Sequence, residues 1–426
     1  MFKPAKFISV LFWIILISAS ASAQTHINRK NLNLGLKILQ KQIEQNTENF
    51  VVSATSVYTI AAMLAVGAEG LAREELRQNI LTSDDISAQH ADFLNTLDTP
   101  SKAVEINSSI WGDDFNTDYK SILQNTLLVD VFPRPKTTEK INDWIKQKTK
   151  GKIPSLMMNK KTKFGDLYLV NTVFFRDKWR LPFEKENTRR KPFYSLNQTS
   201  PDSVMMMYQR ATADYYEDQN MQALRLYYKN GDSIQIFLPH KDIDFVSFIK
   251  SLRTEDLQPQ YISNAEVDIY LPKFDVDYQI DDMRELFRKM GVYQVFLPHK
   301  NPLAHISPIP HFVRQMVHIA NIKIDEEGTI AAAATMSEQE IGFAPVKLTE
   351  IHKFMADRPF LFVINNGLFI GLYTKPDATF DVDDSDNAAE TQPNTDFFLR
   401  LKQKILPHRP TEDNQVDTWE SMRYKE

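Results

Sequence analysis

Cysteine does not occur anywhere in the 426 residues. Disulfide staples, thiolate metal sites and a cysteine nucleophile are therefore excluded together. Glycine is scarce, with 12 residues, and none of them builds a phosphate-cradling loop. Nor do the 9 histidines offer the His-Glu-x-x-His spacing of a helix-borne zinc site. No cofactor and no metal are expected. A basic excess is missing as well: 50 Lys and Arg stand against 55 Asp and Glu, a formal net charge of -5. With no surplus cations to neutralise phosphates, nucleic acid is not an expected partner.

A run long enough to span a bilayer is also lacking. The one long apolar stretch, Phe7 to Ile17, lies behind Lys3 and Lys6 and ahead of Ala21-Ser22-Ala23. A positive start, a short apolar core and small residues at its end make residues 1–23 a secretory signal peptide, removed before Gln24. A secreted, extracellular protein without a membrane anchor is expected. Export gives meaning to two glycosylation sequons, Asn107-Ser108-Ser109 and Asn197-Gln198-Thr199. Asn197 stands in a polar stretch and is the better acceptor. Asn107 lies between Ile106 and Ile110 and is expected half-buried and unmodified.

What is present suits one large core, since 42% of the residues are hydrophobic and a chain of this length manages without covalent staples. Leu32, Leu36, Leu39 and Ile43 fall at helical spacing. So do Met283, Leu286, Phe287 and Met290, with Asp281 or Asp282 as a cap and Gly291 as a stop. Strand alternation appears at Ile234, Ile236 and Leu238, and again at Val267, Ile269 and Leu271. Phe360 to Ile364 and Leu368 to Tyr373 are apolar runs joined by Asn365-Asn366-Gly367, a hairpin signal because these residues accept positive φ. After Pro376 the character changes. Asp377, Asp381, Asp383, Asp384 and Asp386 crowd together with few apolar residues, the composition of a disordered acidic extension over 377–426. Gly231-Asp232-Ser233 is a fragment of a serine-protease nucleophile motif, but it lacks the following glycines and runs into a strand. No enzyme is expected.

The most informative stretch is Ile324-Asp325-Glu326-Glu327-Gly328-Thr329-Ile330-Ala331-Ala332-Ala333-Ala334-Thr335. A strand-like run passes through acids and a glycine into small residues. Taken alone, the alanines suit a helix equally well. In context the stretch resembles the hinge of a serpin reactive loop. Asn49 to Ser56 with Gly67-Ala68 is similar to the family's early strand and helix. Ile141-Asn142-Asp143-Trp144, Thr149 to Ile153, and Leu169 to Phe175 with Trp179 and Phe183 follow in family order. Leu271-Pro272-Lys273-Phe274, Gln315-Met316-Val317-His318 and Asp357 to Phe362 extend the resemblance to Pro376.

The resemblance implies an α+β fold: a single serpin-like domain over 24–376 with a central mixed β-sheet, further sheets, about eight or nine helices and an exposed reactive loop. It implies an irreversible suicide-substrate inhibitor of a serine protease, held as a covalent complex when the cleaved loop inserts into the central sheet. Glu326, Glu327, Gly328, Thr329, Ala331, Ala332, Ala333, Ala334 and Thr335 are then the hinge. An inserting strand buries alternate residues. Thr329, Ala331, Ala333, Thr335, Ser337 and Gln339 form one uncharged parity, while Glu338 and Glu340 share the other. Ser53, Ser56, Asn171 and His318 resemble the polar shutter that holds the sheet closed. Ala54 and Asp177 depart from the family's usual proline and glycine.

Family spacing counted forward from Glu326 places the cleaved bond at Gly342-Phe343, suiting an elastase-like or chymotrypsin-like protease. Counted back from Pro359 it falls at Leu348, and Lys347 beside it would suit a trypsin-like one. Lysines 146, 148, 150, 152, 160, 161 and 163 suggest a polyanion contact, against the simpler reading of a solvated face. A monomer is expected. The competing reading is a non-inhibitory serpin acting as a carrier, storage protein or chaperone.

Overall fold

The computed structural model describes residues 29–44, 47–81, 103–151, 153, 160–297, 301–329 and 350–376. Residues 1–23, expected to be a signal peptide, residues 330–349 with both candidate cleavage positions, Lys152 and the acidic residues after 376 lie outside them. All described residues belong to one compact unit, Met1–Phe380. Seven α-helices stand among them, against the eight or nine expected of the whole chain.

Helix α1, over 29–43, buries Leu32, Leu36, Leu39 and Ile43 along one stripe, as the spacing predicts. Helix α2 (Ala54–Gly67) is different, because it is apolar on every side and buried along almost its whole length. Such a helix belongs inside a core. It packs beneath strands β4 (Asp166–Phe175) and β12 (Phe312–Ile324).

Those two strands are the middle of a seven-stranded sheet. Its order runs β3 (Asp130–Pro133), β2 (Val104–Gly112), β4, β12, with β11 (Phe274–Ile280) on the far edge of β12. β4 and β12 are parallel and directly paired from Phe312↔Asp166 to Asn321↔Phe174. Every residue of β4 is buried, the near-continuous apolar burial typical of a parallel pair covered on both faces.

A second, nine-stranded sheet carries β1 (Phe50–Val52), β6 (Arg189–Phe193), β7 (Asp202–Glu217), β8 (Met221–Tyr227), β9 (Ser233–Pro239), β10 (Ile262–Pro272), β14 (Ile351–Met355), β15 (Phe360–Ile364) and β16 (Phe369–Tyr373). β10 alternates between buried and partly exposed, as its pattern predicts. β9 does not. Its alternation suggests one solvated face, yet all seven residues are buried, because Phe237 joins one core cluster while Ile234, Ile236 and Leu238 join another. The β15–β16 hairpin turns through Asn365, Asn366 and Gly367 at φ 49, 51 and 102, which explains the residue choice. Helix Arg284–Lys289 ends at Gly291 with φ 91. Its start is corrected by one residue: Met283 caps it, and Asp282 Oδ1 accepts the Arg284 N–H at 3.1 Å.

Candidate functional site

Two small strands occupy the end of the β4–β12 seam. Gly328–Thr329 forms β13, whose Thr329 pairs with Ile324 of β12 on one side. On the other side Gly328 and Thr329 pair with Lys178 and Asp177 of β5, which follows β4 by one residue. The chain thus turns back from β12 and starts an antiparallel strand in line with the seam.

The turn is held from several directions. Asp325 Oδ1 accepts the N–H groups of Glu327 at 2.9 Å and Gly328 at 3.2 Å. Burial pushes the Asp325 carboxyl above its ordinary range. Trp179 donates its backbone N–H to Glu327 O and its indole N–H to Asp325 O, both at 2.9 Å. Its ring stacks on Tyr228 at 4.5 Å, and the Tyr228 and Thr329 hydroxyls are 2.9 Å apart. Glu326 is nearly buried, accepts the Thr188 hydroxyl at 2.8 Å and pairs with Lys273 at 3.2 Å. Glu327 is paired with Lys185 at 3.2 Å. Gly328 has φ 146, and a Cβ there would meet Asp177 O at 2.2 Å. Only glycine fits without moving a neighbouring backbone.

Of the expected hinge residues the structure therefore places Glu326, Glu327, Gly328 and Thr329; Ala331 to Thr335 lie outside the described residues. Trp179, Tyr228, Thr188 and Lys273 complete the turn, and sequence reasoning assigned none of them to it. Trp179 and Lys273 were legible as parts of longer motifs, but nothing local connects either to the hinge.

Farther down the seam, His318 and Asn171 face each other in register. Polarity can be followed atom by atom. The Ser53 backbone N–H donates to His318 Nε2 at 3.4 Å, so Nε2 is an acceptor and the proton sits on Nδ1. Nδ1 then donates to Asn171 Oδ1 at 3.2 Å, and Asn171 Nδ2 donates to Ser108 Oγ at 2.9 Å. Ser108, on β2, is the member that the sequence reading missed. Ser53 Oγ accepts the Ser56 N–H at 3.3 Å and caps α2. The Ser56 hydroxyl is not drawn into the chain of contacts: it is buried without a hydrogen-bond partner, as are those of Thr55 and Thr172.

His318 is fully buried, and loss of solvation pushes its pKa down to about 3. The unfolded chain takes up that proton near pH 6.5, whereas the folded protein refuses it until about 3, so stability falls as pH drops through this window. His318→Asn removes the term. Urea unfolding at pH 7 and pH 5 is expected to show a wild-type loss exceeding the variant's by about 2 kcal/mol. Equal losses would mean that the imidazole is not desolvated. Half-buried Asp325 and Asp177, whose carboxyl pKa values are raised by partial burial, act with the opposite sign, so only the difference between the two proteins isolates His318.

The remaining candidates separate by exposure. Asn197 is exposed in a turn with φ 64, whereas Asn107 is half-buried opposite Thr172 in the β2–β4 ladder. Lys148 lies 3.4 Å from Asp130 and Lys150 pairs with Glu105 at 2.6 Å. These pairs fit a solvated, partly neutralised face. Among the described residues no group of three His, Asp or Glu side chains could hold a metal.

A central parallel pair, a polar cluster across it and a turn leading into its seam are one arrangement, and the comparisons give it a family. The family model "Serpin (serine protease inhibitor)" matches residues 29–376. The chain belongs to the serpin family. The serpin is 30% identical over 364 residues to the leukocyte elastase inhibitor of Equus caballus, covering 78% of this chain and 94% of that protein. It is 30% identical over 376 residues to Serpin B9 of Homo sapiens, covering 80% and 96%. Among solved structures it resembles a thermophilic serpin, tengpin, in the native state, with a TM-score of 0.71, 25% identity and 82% and 94% of the two chains covered. Serpins are protease inhibitors and not enzymes, so the buried carboxylates and histidine of this serpin are structural groups rather than a catalytic set.

Proposed function

We propose that this serpin is a secreted suicide-substrate inhibitor of a serine protease. The observation that carries the reading is the position of Gly328–Thr329, already paired between β12 and β5 at the mouth of the β4–β12 seam. The protease serine attacks the carbonyl of a bond between residues 330 and 349; the C–N bond breaks, the new amine takes the proton, and an ester joins protease to serpin. The freed hinge then continues from Thr329 down the seam, parting β4 from β12. The alternation that follows, Ala331, Ala333 and Thr335, presents nothing large or charged to the core. A dozen or so new ladder bonds at roughly 1 kcal/mol each make the insertion irreversible in practice. His318, Asn171, Ser108 and Ser53 are the latch that insertion must open. Gly342-Phe343 is the preferred bond and Lys347-Leu348 the alternative.

Secretion rests on residues 1–23, and N-terminal sequencing of the protein recovered from medium is expected to begin at Gln24. Exposure of its turn supports Asn197 as the glycan acceptor, and the protein acts as a monomer. Mixing it separately with chymotrypsin, elastase and trypsin is expected to give a detergent-stable complex with one of the first two. Mass spectrometry of the released C-terminal fragment then identifies the bond. Cleavage without a complex, and without a rise in thermal stability afterwards, would replace this reading with a non-inhibitory carrier, storage or chaperone role.

A further inference from the structure

We propose that a cleft beside the hinge is a binding site for a small organic anion of the aryl or alkyl carboxylate class. The cleft has a volume of about 130 Å³ and opens where β7 and β8 meet the turn carrying Trp179. Two features of the chain leave it open. Ala211 and Ala213 line it from β7 with the smallest side chains, and on the adjacent strand the pairing shifts register between Ile262 and Ala265, with Asn264 at φ 55. A cavity of roughly 150 Å³ can hold benzene. One six-membered ring is therefore the right scale.

Charge sets the class of occupant. Arg180 and Arg225 both border the cleft, against a single carboxylate among the described lining residues, Asp214. Asp214 is already committed, since it accepts the Tyr227 hydroxyl at 2.7 Å. Arg225 is shared among several neighbours. It lies 3.6 Å from Asp214, reaches Gln235 at 3.3 Å, hydrogen-bonds the Tyr227 and Tyr261 side chains, and keeps its buried Nε without a hydrogen-bond partner. Rings fix both guanidinium groups, Arg180 over Tyr227 at 4.7 Å and Arg225 over Tyr261 at 4.3 Å. Two oriented guanidinium groups facing one committed carboxylate favour a planar carboxylate, while Ala213 and Leu226 give its hydrocarbon part an apolar wall.

Position gives the site a consequence. Trp179 lines the cleft and clamps the hinge through Glu327 and Asp325. An occupant lies against the residue that holds the uncleaved turn in place, and binding to the folded form alone raises its stability. This holds whether or not the loop traps a protease.

Calorimetric titration of the full-length protein with benzoate, and with benzamide as its neutral counterpart, tests the site. Benzoate is expected to bind one site with a Kd on the order of 1 mM, and benzamide about tenfold more weakly or worse. Ala213→Leu fills the cleft and is expected to abolish binding. Because Ala213 is buried, Ala211→Leu at the partly exposed mouth and Arg180→Gln on the exposed rim serve as milder variants, each expected to weaken benzoate by about tenfold. No saturable binding, equal binding of benzoate and benzamide, or benzoate binding unchanged by Ala211→Leu and Arg180→Gln would overturn the proposal.

Discussion

Ala331→Arg is expected to leave the serpin cleavable but unable to hold a protease. Thr329 has no exposed surface, pairs with Ile324 and Asp177, and meets the Tyr228 hydroxyl at 2.9 Å. It is therefore already seated at the mouth of the seam, and on the proposed mechanism the next residue of the same parity to be drawn in is Ala331. A guanidinium in its place would enter an interior where no partner waits, and burying an uncompensated charge costs several kcal/mol. Each 1.4 kcal/mol added to the insertion barrier slows it about tenfold. Insertion competes with hydrolysis of the acyl-enzyme, so a hundredfold or larger delay, about 3 kcal/mol, turns an inhibitor into a substrate. Denaturing gels with the protease that wild type captures should show loop cleavage at an undiminished rate and almost no complex. A variant that still captured most of the protease would sink the insertion reading of Ala331.

Breaking the Lys273–Glu326 pair is expected to give the largest loss of stability among single changes at the site. The two side chains are 12% and 6% exposed and 3.2 Å apart. Lys273→Met keeps most of the packing but leaves Glu326 with the Thr188 hydroxyl and the more distant Lys185 to answer its charge. Removing one partner of a buried pair costs about 3–5 kcal/mol, which for a domain of this size is a fall in thermal midpoint of roughly 5–10 °C. Pairing Lys273→Met with Glu326→Gln should recover more than half of that loss, because the stranded charge is then gone. Calorimetry on both proteins checks it. A double variant no better than the single one would mean that packing around Lys273, rather than charge, holds the turn.

Much of the fold is legible in short-range patterns. The stripe of α1, the alternation of β10 and the turn at Asn365-Asn366-Gly367 each follow from one local constraint: a helical face, a pleat, a positive φ. Gly328 belongs only partly to this class: its φ of 146 arises where the chain reverses after β12, but the Cβ that it lacks would meet Asp177 O of β5, a contact that sheet pairing sets. Patterning misled where burial came from both sides. β9 alternates as if half-solvated, yet Gln235 is as enclosed as its neighbours, because two core clusters cover the strand.

The candidate site divides along the same line. The order of residues by itself determined which segment could serve as a hinge, since acids, a glycine and uncharged alternate positions are properties of consecutive residues. It also marked His318 and Asn171 as polar residues inside apolar strands. Only the tertiary structure decided what those residues touch. Thr188 reaches Glu326 across 138 residues and Tyr228 reaches Thr329 across 101, and Ser108 reaches Asn171 from a strand 63 residues away. No period or propensity encodes such separations. They are set when the sheets pair and the core closes, which selects one partner from the many that local chemistry permits.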